Sequence, residues 1–236
     1  MSSHIRDFLS WLLKLDRFEA LPKDLADYMQ LPRAALQKGI GRQQRQYPDL
    51  DEAEMLLRRM PKQTATDRRA RAMFALTFLA ALRADTVTSL RIKHVDVDAG
   101  RVLQDASVTR TKNGKSLEIG WFPVPPSFSD ETADWLAWLS KKGFGGEDAL
   151  LPEAAILHAG KSKQGPVDPM SSKHAVDVAF RTACVGHVQR YSPHAARHTI
   201  KAEMDKRPLT MEQRKASLSD YRRVGHQLAR TAVQIR

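Results

Sequence analysis

The stretch Met73-Phe74-Ala75-Leu76-Thr77-Phe78-Leu79-Ala80-Ala81-Leu82 is apolar on nearly every side and ends on a charge, Arg83. A helix without a polar stripe cannot rest on a surface, because at 3.6 residues per turn some apolar side chains would always face water. It is also too short to cross a bilayer, which takes ~20 residues. The segment therefore predicts a helix, starting near Thr64, that runs through the core of a folded domain with other elements wrapped around it. A chain of 236 residues, 42% of them hydrophobic, can supply that wrapping as one large domain or as a domain with an appendage.

The rest of the chain divides by texture. Residues 4–15 place Ile5, Phe8, Leu9, Leu12 and Leu13 at helical spacing, and two further short helical stretches follow Pro22 and Pro32. Residues 39–49 turn polar and basic, which reads as a linker with a boundary near Tyr47. The expected organisation is a helical segment over 1–46 and a larger domain over 47–236. In the larger domain Asp49-Leu50-Asp51-Glu52 resembles a helix start, with acidic groups beside the N-terminal dipole, and 53–60 continues it. After Leu90 alternating runs take over: Val95 and Val97, a turn at Asp98-Ala99-Gly100, Val102, then 108–112 and 117–124 flanking Asn113-Gly114. Asn-Gly between two such runs signals a hairpin, since both residues tolerate the positive φ of a type I′ turn. Helices are expected again over 132–141, 172–188, 194–206 and 211–217, interrupted by a Gly/Pro/Lys-rich loop at 160–169. The fold class read from this order is mainly α with a small antiparallel β-sheet (α+β).

Charge narrows the partner. With 38 Lys and Arg against 27 Asp and Glu, the formal charge of +11 suits a polyanion, and nucleic acid is the leading one. Cys184 is the lone cysteine, so no internal disulfide, Cys-based zinc site or Fe–S cluster can be built from the chain. A reducing cytoplasm fits that usage. The N-terminus carries no charged-then-apolar signal pattern, so a soluble intracellular protein with no membrane partner is expected.

Cutting a DNA phosphodiester without metal requires cations for the phosphate oxygens, a proton donor for the leaving oxygen and a nucleophile. Arginine suits the phosphate because its planar fork bonds two oxygens and never deprotonates. In Ser192-Pro193-His194-Ala195-Ala196-Arg197-His198-Thr199, the side chains of His194 and Arg197 share one helical face at i and i+3. Both can then address one phosphate, with the helix N-terminus helping to hold the anion. His194 and His198 also stand four apart like a metal pair, but Ala195 occupies the place where a zinc protease needs Glu, and no clear third ligand is present.

Four segments in this order resemble the tyrosine recombinase (phage integrase) family: Ala81-Leu82-Arg83 with Thr88-Ser89-Leu90-Arg91-Ile92-Lys93-His94-Val95-Asp96; Arg110-Thr111-Lys112-Asn113-Gly114-Lys115; the His194–Arg197 box; and Gly225-His226. The resemblance spans 49–236 and implies the family's catalytic-domain fold. By the same resemblance Arg83, Arg197 and His226 bind the scissile phosphate, Lys112 acts as general acid with Lys115 in reserve, and His194 assists proton transfer. It implies recombination or integration on double-stranded DNA through a 3′-phosphotyrosyl link, with no metal and no cofactor, in a homotetramer of the full-length protein, as in phages and mobile elements. Residues 1–46 would be the tail of the family's DNA-clamping domain.

The sequence departs from the family pattern twice. The tyrosines are Tyr28, Tyr47, Tyr191 and Tyr221, and none follows His226. The expectation is a chain truncated before its nucleophile, able to bind DNA and unable to cleave it. The family also often has an acidic residue three after the first Arg; here that position is Thr86, and Asp85 one earlier is the candidate support for Arg83. The alternative in another class is a non-catalytic DNA-binding regulator on a recombinase scaffold, and a third is a generic basic helical nucleic-acid module. The target sequence, and the choice among integration, excision and resolution, are not readable here.

Overall fold

A computed structural model of the chain describes residues 2–18, 20–25, 46–111, 116–161 and 165–207. It separates into two compact units, Met1–Arg45 and Gln46–Arg236. In the first, helix α1 (Ser2–Leu12) is followed by a 3₁₀ turn at Asp16–Phe18. Phe8 and Trp11, three apart on α1, bring their rings within 5.9 Å. The stretch expected to turn helical after Pro32 lies outside the described residues.

The second unit begins where capping chemistry begins. Asp49 accepts a hydrogen bond from the Glu52 amide and starts α2 (Leu50–Arg59), with acidic side chains in its first turn and Arg58 and Arg59 in its last. Thr64 and Asp67 form a reciprocal capping box that starts α3 (Ala65–Leu79). As its apolar surface requires, α3 is buried from Arg71 to Leu79. Phe74 and Phe78 of α3 meet Phe128 and Phe180 at ring-centroid distances of 4.7 to 6.5 Å, the aromatic centre of the core. Phe128 belongs to α5 (Pro126–Lys141) and Phe180 to α7 (His174–Ala183), so these helices enclose α3. A fully buried side chain of this size contributes about 1.5–3 kcal/mol.

The two arginines buried on α3 donate to backbone carbonyls of neighbouring segments. Arg71 donates to the Leu57 and Met60 oxygens at 2.7 Å, closing the loop after α2, and pairs with Glu131 of α5. Arg69 donates to the Pro152 oxygen just before α6 (Ala154–Ala159).

Short helix α4 (Ala84–Ser89) and a 3₁₀ turn at Ile92–His94 lead into the sheet. Among the described residues it has three antiparallel strands in the order β1 (Val95–Asp96), β2 (Arg101–Gln104), β3 (Leu117–Gly120), with Val102 opposite Ile119. The partner of β3 is thus 101–104 and not the expected 108–112. The reason is local competition for the backbone. The Asp105 carbonyl accepts from the amides of Val108 and Thr109, and the Asp105 side chain from Ser107, folding a turn out of the sheet. Arg110 is then captured by α4: its amide donates to Ser89 Oγ (2.9 Å), its carbonyl accepts from Thr86 Oγ1 (3.0 Å), and its guanidinium donates to Thr88 Oγ1 and the Met170 oxygen, both 2.8 Å. Asn113-Gly114 lies outside the described residues.

Two other elements differ from the reading of the sequence. Helix α5 starts at Pro126 instead of Thr132, because proline fits the first helical position where no amide partner is needed. Helix α7 is shorter than 172–188, stopping at Ala183 before a turn that contains Gly186 at φ +71°. The last helix, α8 (Pro193–Asp205), matches the expected 194–206 within a residue; the stretch 211–217 lies outside the described residues. No described helix is long and apolar enough to cross a membrane.

Candidate functional site

At the end of α3 the chain must leave the core and present a charge. Ala81 takes φ +46°, the only non-glycine residue in the left-handed region among those described, and this turn keeps Leu82 buried while bringing Arg83 out. Arg83 stands at the N-cap of α4, extended and exposed. Buried Thr86 and Val87 fix α4 beneath it.

Helix α8 supplies the opposite wall. Ser192 is its N-cap and Pro193 its first residue, so His194 and Arg197 lie on the same face within its first turns. The Arg197 guanidinium donates to the Ala81 carbonyl oxygen, which joins α8 to the turn that carries Arg83. Arg83, Asp85, Lys173, Asp177, His194 and Arg197 line one cleft of about 280 Å³, together with Leu82 and Pro193. Four of the seven residues singled out in the sequence meet here. Lys112, Lys115 and His226 lie outside the described residues.

Burial separates Thr86 from Asp85. Thr86 points inward, 2% exposed, and its hydroxyl holds the Arg110 carbonyl, whereas Asp85 opens into the cleft. No ion pair joins Asp85 to Arg83 among the described residues.

Lys173 and Asp177 were not apparent from the sequence. A signal was present: Lys173 stands just ahead of α7 and Asp177 follows it by four residues, a spacing that puts both on one side of the helix start. Arg83, Lys173, Arg197 and the His194 imidazole share the cleft with two carboxylates, Asp85 and Asp177, a lining whose cations can take an anion such as a phosphate diester.

His194 and His198 meet edge to face with centroids 4.6 Å apart, and Tyr47 stacks on His198 at 5.9 Å. No group of three metal-ligating side chains forms among the described residues. Immediately before α8, Tyr191 is 8% exposed and its hydroxyl donates to Glu52 at 2.8 Å. Burial, and then the accepting carboxylate, push this phenol far above its ordinary value and keep it protonated.

The family model described as the phage integrase family matches residues 47–210. A crystal structure of XerA recombinase superposes with a TM-score of 0.53 at 14% sequence identity, covering 89% of this chain and 70% of that one. At that identity the likeness is one of fold: a mostly helical domain with a small antiparallel sheet. No curated protein matches the chain.

Proposed function

The chain belongs to the phage integrase family of tyrosine recombinases, and from that premise we propose that its cleft binds the scissile phosphate of duplex DNA for site-specific recombination. In this reading 47–236 is the catalytic domain and 1–46 the tail of a DNA-clamping domain. Arg83, Arg197 and His226 bind the phosphate oxygens, and Asp85 supports Arg83. A tyrosine hydroxyl attacks the phosphorus, His194 assisting the loss of its proton. The bond to the 5′ oxygen breaks as Lys112, with Lys115 in reserve, delivers a proton to it. The resulting 3′-phosphotyrosyl link stores the bond energy, so resealing by a second 5′ hydroxyl needs neither ATP nor a metal. The active assembly is a homotetramer on DNA, working in the cytoplasm.

The observation that carries this reading is the convergence of Arg83 with His194 and Arg197, more than a hundred residues later, on one cleft beside a helix start. No tyrosine follows His226 in these 236 residues; in this reading the polypeptide binds duplex DNA and forms no covalent adduct. Nicked suicide duplexes test both statements, with the 236-residue chain compared against the same chain extended past Arg236 by a segment that supplies a tyrosine. The expected result is an adduct from the extended chain alone, abolished by Arg197→Ala. An adduct formed by the 236-residue chain, or one that survives Arg197→Ala, contradicts the assignment.

A further inference from the structure

We propose that Tyr47 is a positioning residue for His194, acting through the ring of His198. Three contacts tie the segment that opens the second unit to α8 and its approach. Tyr47 stacks on His198 with planes 23° apart at 5.9 Å. The Thr199 hydroxyl, next along α8, donates to the Pro48 carbonyl as well as to Ala195 one turn back. Glu52, in the first turn of α2, accepts from the Tyr191 hydroxyl at 2.8 Å and pairs with His187 at 3.2 Å, holding the loop that leads into α8. The segment 47–52 thus grips α8 on both sides of His194.

The ring geometry carries this grip to the cleft. His194 and His198 stand one turn apart on α8, and their planes are perpendicular at 4.6 Å. In an edge-to-face pair the orientation of one ring limits the rotation of the other. His194 is exposed at the cleft, a setting in which an imidazole ring has room for more than one rotamer. Tyr47 stacks on His198, so a rotation of His194 that turns the His198 ring must also displace Tyr47. Tyr47 itself is 43% exposed. A large aromatic in that setting contributes little to the core, and its replacement leaves the fold intact.

That His194 addresses a phosphate rests on the function proposed above; that Tyr47 orients His194 does not. The experiment therefore reads both. Tyr47→Ala, Tyr47→Phe, His194→Ala and the double variant Tyr47→Ala/His194→Ala are compared by the imidazole NMR signal of His194 and by affinity for a duplex oligonucleotide. Tyr47→Ala is expected to move the His194 signal and lower affinity roughly three- to tenfold, with Tyr47→Phe restoring both. In the His194→Ala background Tyr47→Ala should cost nothing further, since coupled residues are not additive. An unmoved His194 signal, or a full additional loss in the double variant, overturns the proposal. If the signal moves while His194→Ala leaves affinity untouched, the positioning stands and the phosphate assignment of His194 falls.

Discussion

The guanidinium of Arg197 donates to the carbonyl of Ala81, a residue held at φ +46°. One arginine of the cleft therefore fixes the turn that presents the other, since Arg83 follows Ala81 by two residues. Helix α3 ends at Leu79, the Ala80 amide still bonds back to Leu76, and only three further residues precede the start of α4 at Ala84. The left-handed residue makes so short a turn possible, and its carbonyl meets α8. The spacing of Arg83 and Arg197 is thus set by backbone geometry and one charge-assisted hydrogen bond, before any ligand arrives.

A Cβ in the left-handed region costs about 1 kcal/mol relative to glycine, which occupies it freely. Ala81→Gly is expected to stabilise the chain by about 0.5 kcal/mol once the greater freedom of glycine in the unfolded state is subtracted. Ala81→Val, β-branched at the same φ, should destabilise by more than about 1 kcal/mol. Urea denaturation of the pair decides the matter, and equal midpoints would contradict a strained turn at Ala81.

Acid stability should depend on Asp148. This carboxylate, 1% exposed, receives hydrogen bonds from Lys161 (2.5 Å) and from the amides of Gly145 (2.5 Å) and Val167 (2.8 Å). Burial alone would raise its titration point, but the Lys161 ammonium and the two amides outweigh burial and hold it below the ordinary carboxylate range. An unfolded aspartate titrates near pH ~3.9. Below that value the unfolded chain takes up the proton first, so the stabilisation is present above pH ~4 and is lost as pH falls through the lower folded value. Asp148→Asn should cost about 3 kcal/mol at neutral pH, because it leaves Lys161 without its charge partner. The gap from the parent should narrow below pH ~4. A constant gap between pH 7 and pH 3, read by denaturant titration, would contradict this role.

The helices and the core were legible because each rests on a local rule. Asp49 and Thr64 announced their caps, and 73–82 could fit nowhere but the interior. The strand partner was misread because hairpin propensity at Asn113-Gly114 gave no weight to Ser89, Thr86 and Thr88, whose hydroxyls draw Arg110 onto α4. Such contacts join residues more than twenty apart and leave no periodic trace. At the cleft, His194 and Arg197 shared a helix and were readable as a pair, and Arg83 stood out by ending an apolar run. Lys173 and Asp177 reach the same cleft only because α7 packs beside α4 against the shared core. The bond from Arg197 to Ala81 was equally invisible, since its acceptor is a backbone atom aimed by an unusual φ.

The central claim is that this cleft holds a DNA phosphate, and Arg83 tests it most directly. Its side chain is exposed and makes no ion pair among the described residues, so Arg83→Ala removes a cation without disturbing the fold. Duplex affinity measured across a salt series for the parent and Arg83→Ala should show weaker binding in the variant. The slope of log affinity against log salt should be shallower by about 0.9, the signature of one lost phosphate contact. An unchanged slope and unchanged affinity would mean that the phosphate binds elsewhere on this basic chain.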